Sequence, residues 1–231
     1  MRHIRRSFYL LIFILLSNCS SDKEPIQRLV GYEYPLDSLR DGKIFVYKKN
    51  VPSEYYFVEQ KLVKENDVEY ILSESYDLKE KISAGKFKLT NEGIEEIETY
   101  LYRYPDSLKN EYQKDTGEIL ESKNLTDGQK YRGSFIKMKI LTSGNIRGNM
   151  TAQQTFIRED KLQFNGQDLD VLVFTNDITV KAWHRFIPFF SSETIYTGEN
   201  YYGRGLGLVK YSTNTDTEKF EWTLKEIRKI D

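Results

Sequence analysis

The chain has one cysteine, two histidines and five prolines in 231 residues. A single cysteine excludes an internal disulfide framework, so the fold rests on its core. Cys19, His3 and His184 are too few to supply the thiolate and imidazole ligands of a structural zinc site. The prolines, at positions 25, 35, 52, 105 and 188, mark no Pro-rich linker. Lys+Arg number 34 against 35 Asp+Glu, with no basic block of five, so the electrostatic footprint of a nucleic-acid binder is missing. No apolar run exceeds residues 8–16, "FYLLIFILL". That is well short of the roughly 20 residues a spanning helix needs. A G-x-S-x-G elbow beside a histidine is also lacking, which leaves Ser191, Ser192 and His184 without the context of a nucleophilic triad.

What is present begins at the N-terminus. Arg2, Arg5 and Arg6 precede the nine apolar residues, and Leu16, Ser17, Asn18 and Cys19 follow them. A cationic start and an apolar stretch of this length read as an export signal. Leu16-Ser17-Asn18-Cys19 resembles the lipobox of bacterial lipoproteins, with Asn18 where a glycine, alanine or serine is usual. The resemblance implies a diacylglyceryl group on the Cys19 sulfur, cleavage before it, and a fatty amide such as palmitate on the new N-terminus. Stable attachment requires more than one acyl chain, which such a residue provides without any protein segment in the bilayer. The expected organisation is a signal peptide over residues 1–18, a lipidated N-terminus and flexible tether over 19–34, and one domain over 35–231. Ser20 after the cysteine resembles an outer-membrane sorting pattern, and Asp22 and Glu24 resemble the acidic surface-export segment of Bacteroidota lipoproteins. The expected location is therefore the outer membrane, facing the periplasm or displayed on the cell surface.

Loss of residues 1–18 removes three arginines and leaves 31 basic against 35 acidic residues, a net charge of about −4. Charges of both signs are mixed along the chain and 14% of it is aromatic, a globular composition. The patterning is of period two. Ile136, Met138 and Ile140 alternate with Lys137 and Lys139; Phe220, Trp222 and Leu224 alternate with Glu221, Thr223 and Lys225; Ile97, Thr99 and Leu101 are set against Tyr100, Tyr102 and Tyr104. Half-buried antiparallel strands alternate in this way. Asp41-Gly42, Glu92-Gly93, Asp127-Gly128 and Asn165-Gly166 punctuate the runs as turns. The expectation is an all-β or mainly β domain of about ten strands with little helix. It would form a curved antiparallel sheet, half-barrel or sandwich-like, with a short helix around residues 37–41 or within 106–113. Residues 105–127, charged and poor in apolar side chains, form its one plausible seam.

Two stretches stand out. In "YYGRGLGLVKY", residues 201–211, Gly203, Gly205 and Gly207 lack the spacing of a dinucleotide loop and lead into a strand. They read as one glycine face of a strand, with Arg204, Leu206 and Leu208 on the other. This segment, together with "LRDGKIFVYKK" at residues 39–49, resembles the two ends of uncharacterised β-rich lipoproteins that carry GIGLVK-type segments. The resemblance implies a curved sheet related in shape to the half-barrels of lipoprotein carriers, and no catalytic residue. In "KAWHRFIPFF", residues 181–190, Trp183, Phe186, Phe189 and Phe190 admit two readings. Inward packing at a strand corner is the simpler; an apolar rim shared with Tyr201 and Tyr202 is the functional one.

The expected function is a lipid-anchored, non-catalytic envelope protein that needs no cofactor or metal. It would hold a lipid, another apolar ligand or an envelope partner protein through its curved sheet. An assembly lipoprotein with a filled interior is the first alternative. A glycan hydrolase using Asp168 and Asp170 is the second, because retaining enzymes need two carboxyl groups about 5.5 Å apart. The state of the interior separates the three.

Overall fold

The structure, a computed structural model, describes residues 32, 35–50, 54–77, 80–90, 93–103, 113–125, 133–141, 145–187, 189–215 and 218–230. The lipobox residues Leu16, Ser17, Asn18 and Cys19 and most of the tether lie outside them, as do Glu92, Asp127 and Gly128.

Among the described residues, a short helix, α1 (Leu36–Leu39), leads into twelve strands: β1 (Lys43–Lys49), β2 (Tyr55–Glu65), β3 (Val68–Asp77), β4 (Glu80–Thr90), β5 (Gly93–Arg103), β6 (Gln113–Leu125), β7 (Gly133–Leu141), β8 (Ile146–Phe164), β9 (Gln167–His184), β10 (Ser191–Gly203), β11 (Gly207–Asn214) and β12 (Lys219–Lys229). Each strand pairs antiparallel with the next, and β1 pairs with β12 from Lys43↔Lys229 to Lys49↔Trp222. The result is a closed up-and-down barrel. Two expectations are corrected here: the sheet closes on itself instead of stopping as a half-barrel or sandwich, and it has twelve strands, not about ten. Closure removes the two edges that an open sheet would leave unpaired.

Local chemistry explains the hairpins. Asn165 and Gly166 take positive φ (51° and 79°), as do Asn66 and Asp67 (48° and 64°), so both pairs form the tight turns that suit strand twist. Gly42, at φ 72°, ends α1 by donating its N–H to the Leu39 carbonyl at 3.0 Å. Of the supposed seam at 105–127, residues 113–125 form β6, so the charges there belong to a strand of the wall; the rest of it, including residues 106–112 of the helix expected within 106–113, lies outside the described residues.

The C-terminal ends of β2, β4, β6, β8 and β10 gather at one end of the barrel with α1, and there the core lies. Leu39, Phe45, Leu62, Ile71, Val209 and Leu224 belong to one buried cluster. From Val171 to Phe174 both faces of β9 are buried. Val171 and Val173 join that cluster, while Leu172 and Phe174 pack with Tyr202, Phe156 and Leu208. The outer wall carries cross-strand ion pairs such as Lys86–Glu65 (2.7 Å), Lys181–Glu193 (3.2 Å) and Lys210–Glu221 (2.9 Å). A transmembrane barrel instead turns an apolar band outward.

Candidate functional site: the barrel lumen

Above the core the lumen is not filled. A cavity of about 550 Å³ occupies it, within the roughly 300–1,000 Å³ usual for small-molecule sites. Strand register sets its lining in rungs. Ser134, Gln154 and Asn176 lie opposite one another across β7, β8 and β9 and make a polar rung; Asn200 of β10, opposite Phe174, adds an amide one rung nearer the core. One rung further from the core, Ile136, Ala152 and Ile178 are opposite in register and aliphatic. The facing wall is aromatic. Tyr211 stacks on Trp222 at 6.1 Å, Tyr56 meets Trp222 at 5.7 Å, and Tyr47 meets Tyr56 at 6.1 Å.

Burial raises the phenols of Tyr47, Tyr56 and Tyr211 above the ordinary value, so all three remain donors. The Tyr47 hydroxyl donates to the Leu208 carbonyl at 2.8 Å. Tyr202 donates to Gln154 Oε1 at 3.2 Å, and Asn200 Nδ2 donates to the Tyr202 oxygen at 3.4 Å. Glu96 also lines the cavity; burial pushes its carboxyl up to about 7, offset only in part by a hydrogen bond from Thr99. An interior that alternates hydroxyl, amide and hydrocarbon surfaces can accept a molecule with both polar and apolar parts.

The wall has one splayed seam beside this cavity. β5 and β6 pair only from Thr99↔Gly117 to Arg103↔Gln113. Below Thr99, β5 continues to pair with β4 as far as Gly93, and beyond Gly117, β6 continues to pair with β7 as far as Leu125. Residues 93–98 and 118–125 thus face each other without a ladder. Each lip carries a register shift close to where the ladder stops, between Lys86 and Phe87 opposite β5 and between Ile119 and Glu121 on β6. Such bulges twist a strand out of line with its neighbour.

The stretches singled out from sequence are dispersed. Phe186, Ile187, Phe189 and Phe190 are 66%, 52%, 96% and 67% exposed at the β9–β10 tip, which corrects the expectation of inward packing. Trp183 is half-buried and pairs with Ser191. Tyr201 and Tyr202 lie at the opposite end of β10, roughly 35 Å away at 3.3 Å per residue. These residues therefore do not form one rim. Tyr201 faces outward and receives a contact from Arg158, while Tyr202 is buried and reaches the lumen. Gly203, Gly205 and Gly207 do not make a strand face either. Gly203 pairs with Gly207 across a three-residue loop, and φ is 73° at Gly205 and 78° at Gly207. An alternating glycine run fits a strand face and a hairpin equally; only the positive φ angles separate them.

Asp168 and Asp170 are exposed at the β8–β9 hairpin and take different partners, Gln163 for Asp168 and Lys161, at 3.9 Å, for Asp170. No cleft encloses them. Among the described residues, no group of three or more His, Cys, Asp or Glu could hold a metal ion. The lining residues Glu96, Gln154, Asn176 and Asn200 were not foreseen. Asn176 left a legible trace, because Phe174, Ile178 and Val180 share its alternating face and it interrupts them.

No family model matches the chain, and no curated protein matches it. Among solved structures it is similar to a candidate lipoprotein from Parabacteroides distasonis ATCC 8503, with 12% identity and a TM-score of 0.48 over 81% of this chain and 95% of that one. A candidate exported protein with a YmcC-like fold from Bacteroides fragilis NCTC 9343 gives 9% identity and 0.46 over the same shares. The hypothetical lipoprotein YmcC from Escherichia coli (K12) gives 12% and 0.35 over 92% and 91%. Likenesses of this size carry no statement about what the chain does.

Proposed function

We propose that the chain is a lipid-anchored, non-catalytic binding protein of the bacterial envelope, holding an amphipathic small molecule in its lumen. The cavity of about 550 Å³, with its polar rung beside aliphatic and aromatic walls, carries the binding half. It also stands against an assembly protein with a filled interior. A wholly apolar ligand would strip water from Ser134, Asn176 and the hydrogen-bonding positions that Gln154 and Asn200 do not spend on Tyr202, and desolvating an unsatisfied polar group costs about 1–3 kcal/mol. An amphiphile satisfies both surfaces. Anchoring at Cys19 and an outer-membrane location rest on Arg2, Arg5, Arg6, residues 8–16 and the lipobox-like Leu16-Ser17-Asn18-Cys19. In cell fractionation, Cys19→Ala should move the protein out of the membrane fraction; retention there would remove the anchor.

Native mass spectrometry of the full chain, recovered from its own envelope, tests the lumen. A stoichiometric adduct of small-molecule mass is expected, lost in Ala152→Trp, whose side chain fills the aliphatic rung while secondary structure persists. A bare chain in both would end the reading. One observation favours an additional contact with an envelope partner: the exposed phenylalanines of the β9–β10 tip, at the barrel end opposite α1. A photo-crosslinker at position 189 should then capture a discrete partner in cells.

A further inference from the structure

The lumen needs a way in. Its lining follows β7 to β10 through Met150, Ala152 and Ile178 but includes no residue of the β9–β10 tip. At β6 and β7 it behaves differently. Ser122 and Ile136 are opposite in register and face the lumen, as does Ser134; Lys123 and Phe135, opposite each other and offset by one residue, take the outer face. Lys123 Nζ lies over the Phe135 ring at 5.0 Å. Both Lys123 and Phe135 nevertheless belong to the cavity wall together with Ser122 and Ser134. The cavity surface therefore passes around the β6 lip from inside to outside. From the other side it is bounded by Ile94 and Glu96 of β5, on the stretch that has lost its ladder to β6.

A second splay makes a useful contrast. β11 and β12 pair only from Lys210↔Thr223 to Asn214↔Lys219, so they too part toward the core end. There the gap is packed by Val209 and Leu224, at 0% and 1% exposure, and bridged by the Tyr47 hydroxyl on the Leu208 carbonyl. That splay is sealed with hydrocarbon. The β5–β6 seam is lined by Glu96, Ser122 and Lys123, which water and a polar head can wet.

We propose that the β5–β6 seam is a lateral portal, through which a single-chain amphiphile enters tail first and leaves its polar end between Glu96 and Ser122. The inference rests on the lumen binding reading and adds a route and an orientation to it. The tail then lies along Ile136, Ala152 and Ile178, and the lips separate without breaking any ladder bond, because none joins residues 93–98 to 118–125.

The test uses a Cys19→Ala chain, which carries no other thiol. Glu121→Cys places a thiol on the outer, exposed side of the β6 lip, clear of the cavity wall; Ser191→Cys places one at the far end of the barrel. Each is loaded with a bulky methanethiosulfonate reagent removable by dithiothreitol. Uptake of 11-(dansylamino)undecanoic acid at pH 6 is followed by its fluorescence rise. The portal requires entry and exit to slow at least tenfold in the labelled Glu121→Cys chain, with Kd unchanged within twofold and full recovery on reduction. The labelled Ser191→Cys chain should match the unlabelled protein. Slowing from the Ser191 site, or from neither site, overturns the portal while leaving lumen binding intact. Absence of uptake in unlabelled chains removes lumen binding itself, and the portal with it.

Discussion

Glu96 is the residue whose environment departs furthest from its sequence. Its carboxyl is raised from 4.5 to about 7 chiefly by burial in the lumen wall. Between those values the unfolded chain releases a proton that the folded chain keeps. Stability therefore falls as pH rises through this window, and the penalty vanishes below about 4.5. Denaturant melts from pH 4 to 8 should show a decline on the order of 2 kcal/mol from this group after discounting its partial exposure, and Glu96→Gln should flatten that decline. An unchanged slope in the variant would place the carboxyl in water. Gly198 makes a steric case. A Cβ there would stand 1.9 Å from the Ser212 carbonyl oxygen of the neighbouring strand, so Gly198→Ala should destabilise by roughly 1–3 kcal/mol in the same assay. Nothing in the local context "IYTGEN", residues 195–200, marks that approach; it exists only because β10 is paired with β11.

At the scale of elements, β9 and the tip that follows it have opposite characters. Phe174 is 1% exposed and contacts Phe156 and Tyr202 at centroid distances of 5.5 and 5.7 Å. Phe174→Ala should cost about 3–5 kcal/mol. Phe189, fifteen residues beyond Phe174, is 96% exposed, and Phe189→Ser should leave the thermal midpoint where it was. A large loss from the second substitution would mean that the tip is packed. Both residues sit in apolar sequence, and apolar character alone does not tell burial from display. Strand alternation in β7 and β12 was readable because each has a single buried face. The glycine hairpin and β6 were not, since a turn can mimic a face and a strand rich in charge can mimic a seam.

The whole molecule depends on closure. The β1–β12 contact joins residues nearly the length of the domain apart, and it buries Leu224 against Tyr47 and Phe45. Ending the chain after Glu218 removes β12 and exposes long edges on β1 and β11, which invite intermolecular pairing. The expected outcome is loss of the cooperative unfolding transition and association of the chain, read by calorimetry and light scattering. A monomer that still melts cooperatively would show that eleven strands suffice. The outer ion pairs matter less: pairs as exposed as Lys181–Glu193 contribute about 0–1 kcal/mol, so added salt should change stability little.

Much of this protein follows from local physical chemistry. Period-two alternation makes strands because successive side chains point to opposite faces. Asn165-Gly166 makes a turn because both residues tolerate positive φ. The cysteine count rules out disulfide support. These effects act over a few residues, so a single sequence displays them. Closure into a barrel, the hollow above the core, the polar rung of Ser134, Gln154 and Asn176, and the parting of β5 from β6 are of another kind. Each depends on which strands become neighbours, in what register, and where bulges shift it. Those are long-range pairings, and only the folded chain decides them.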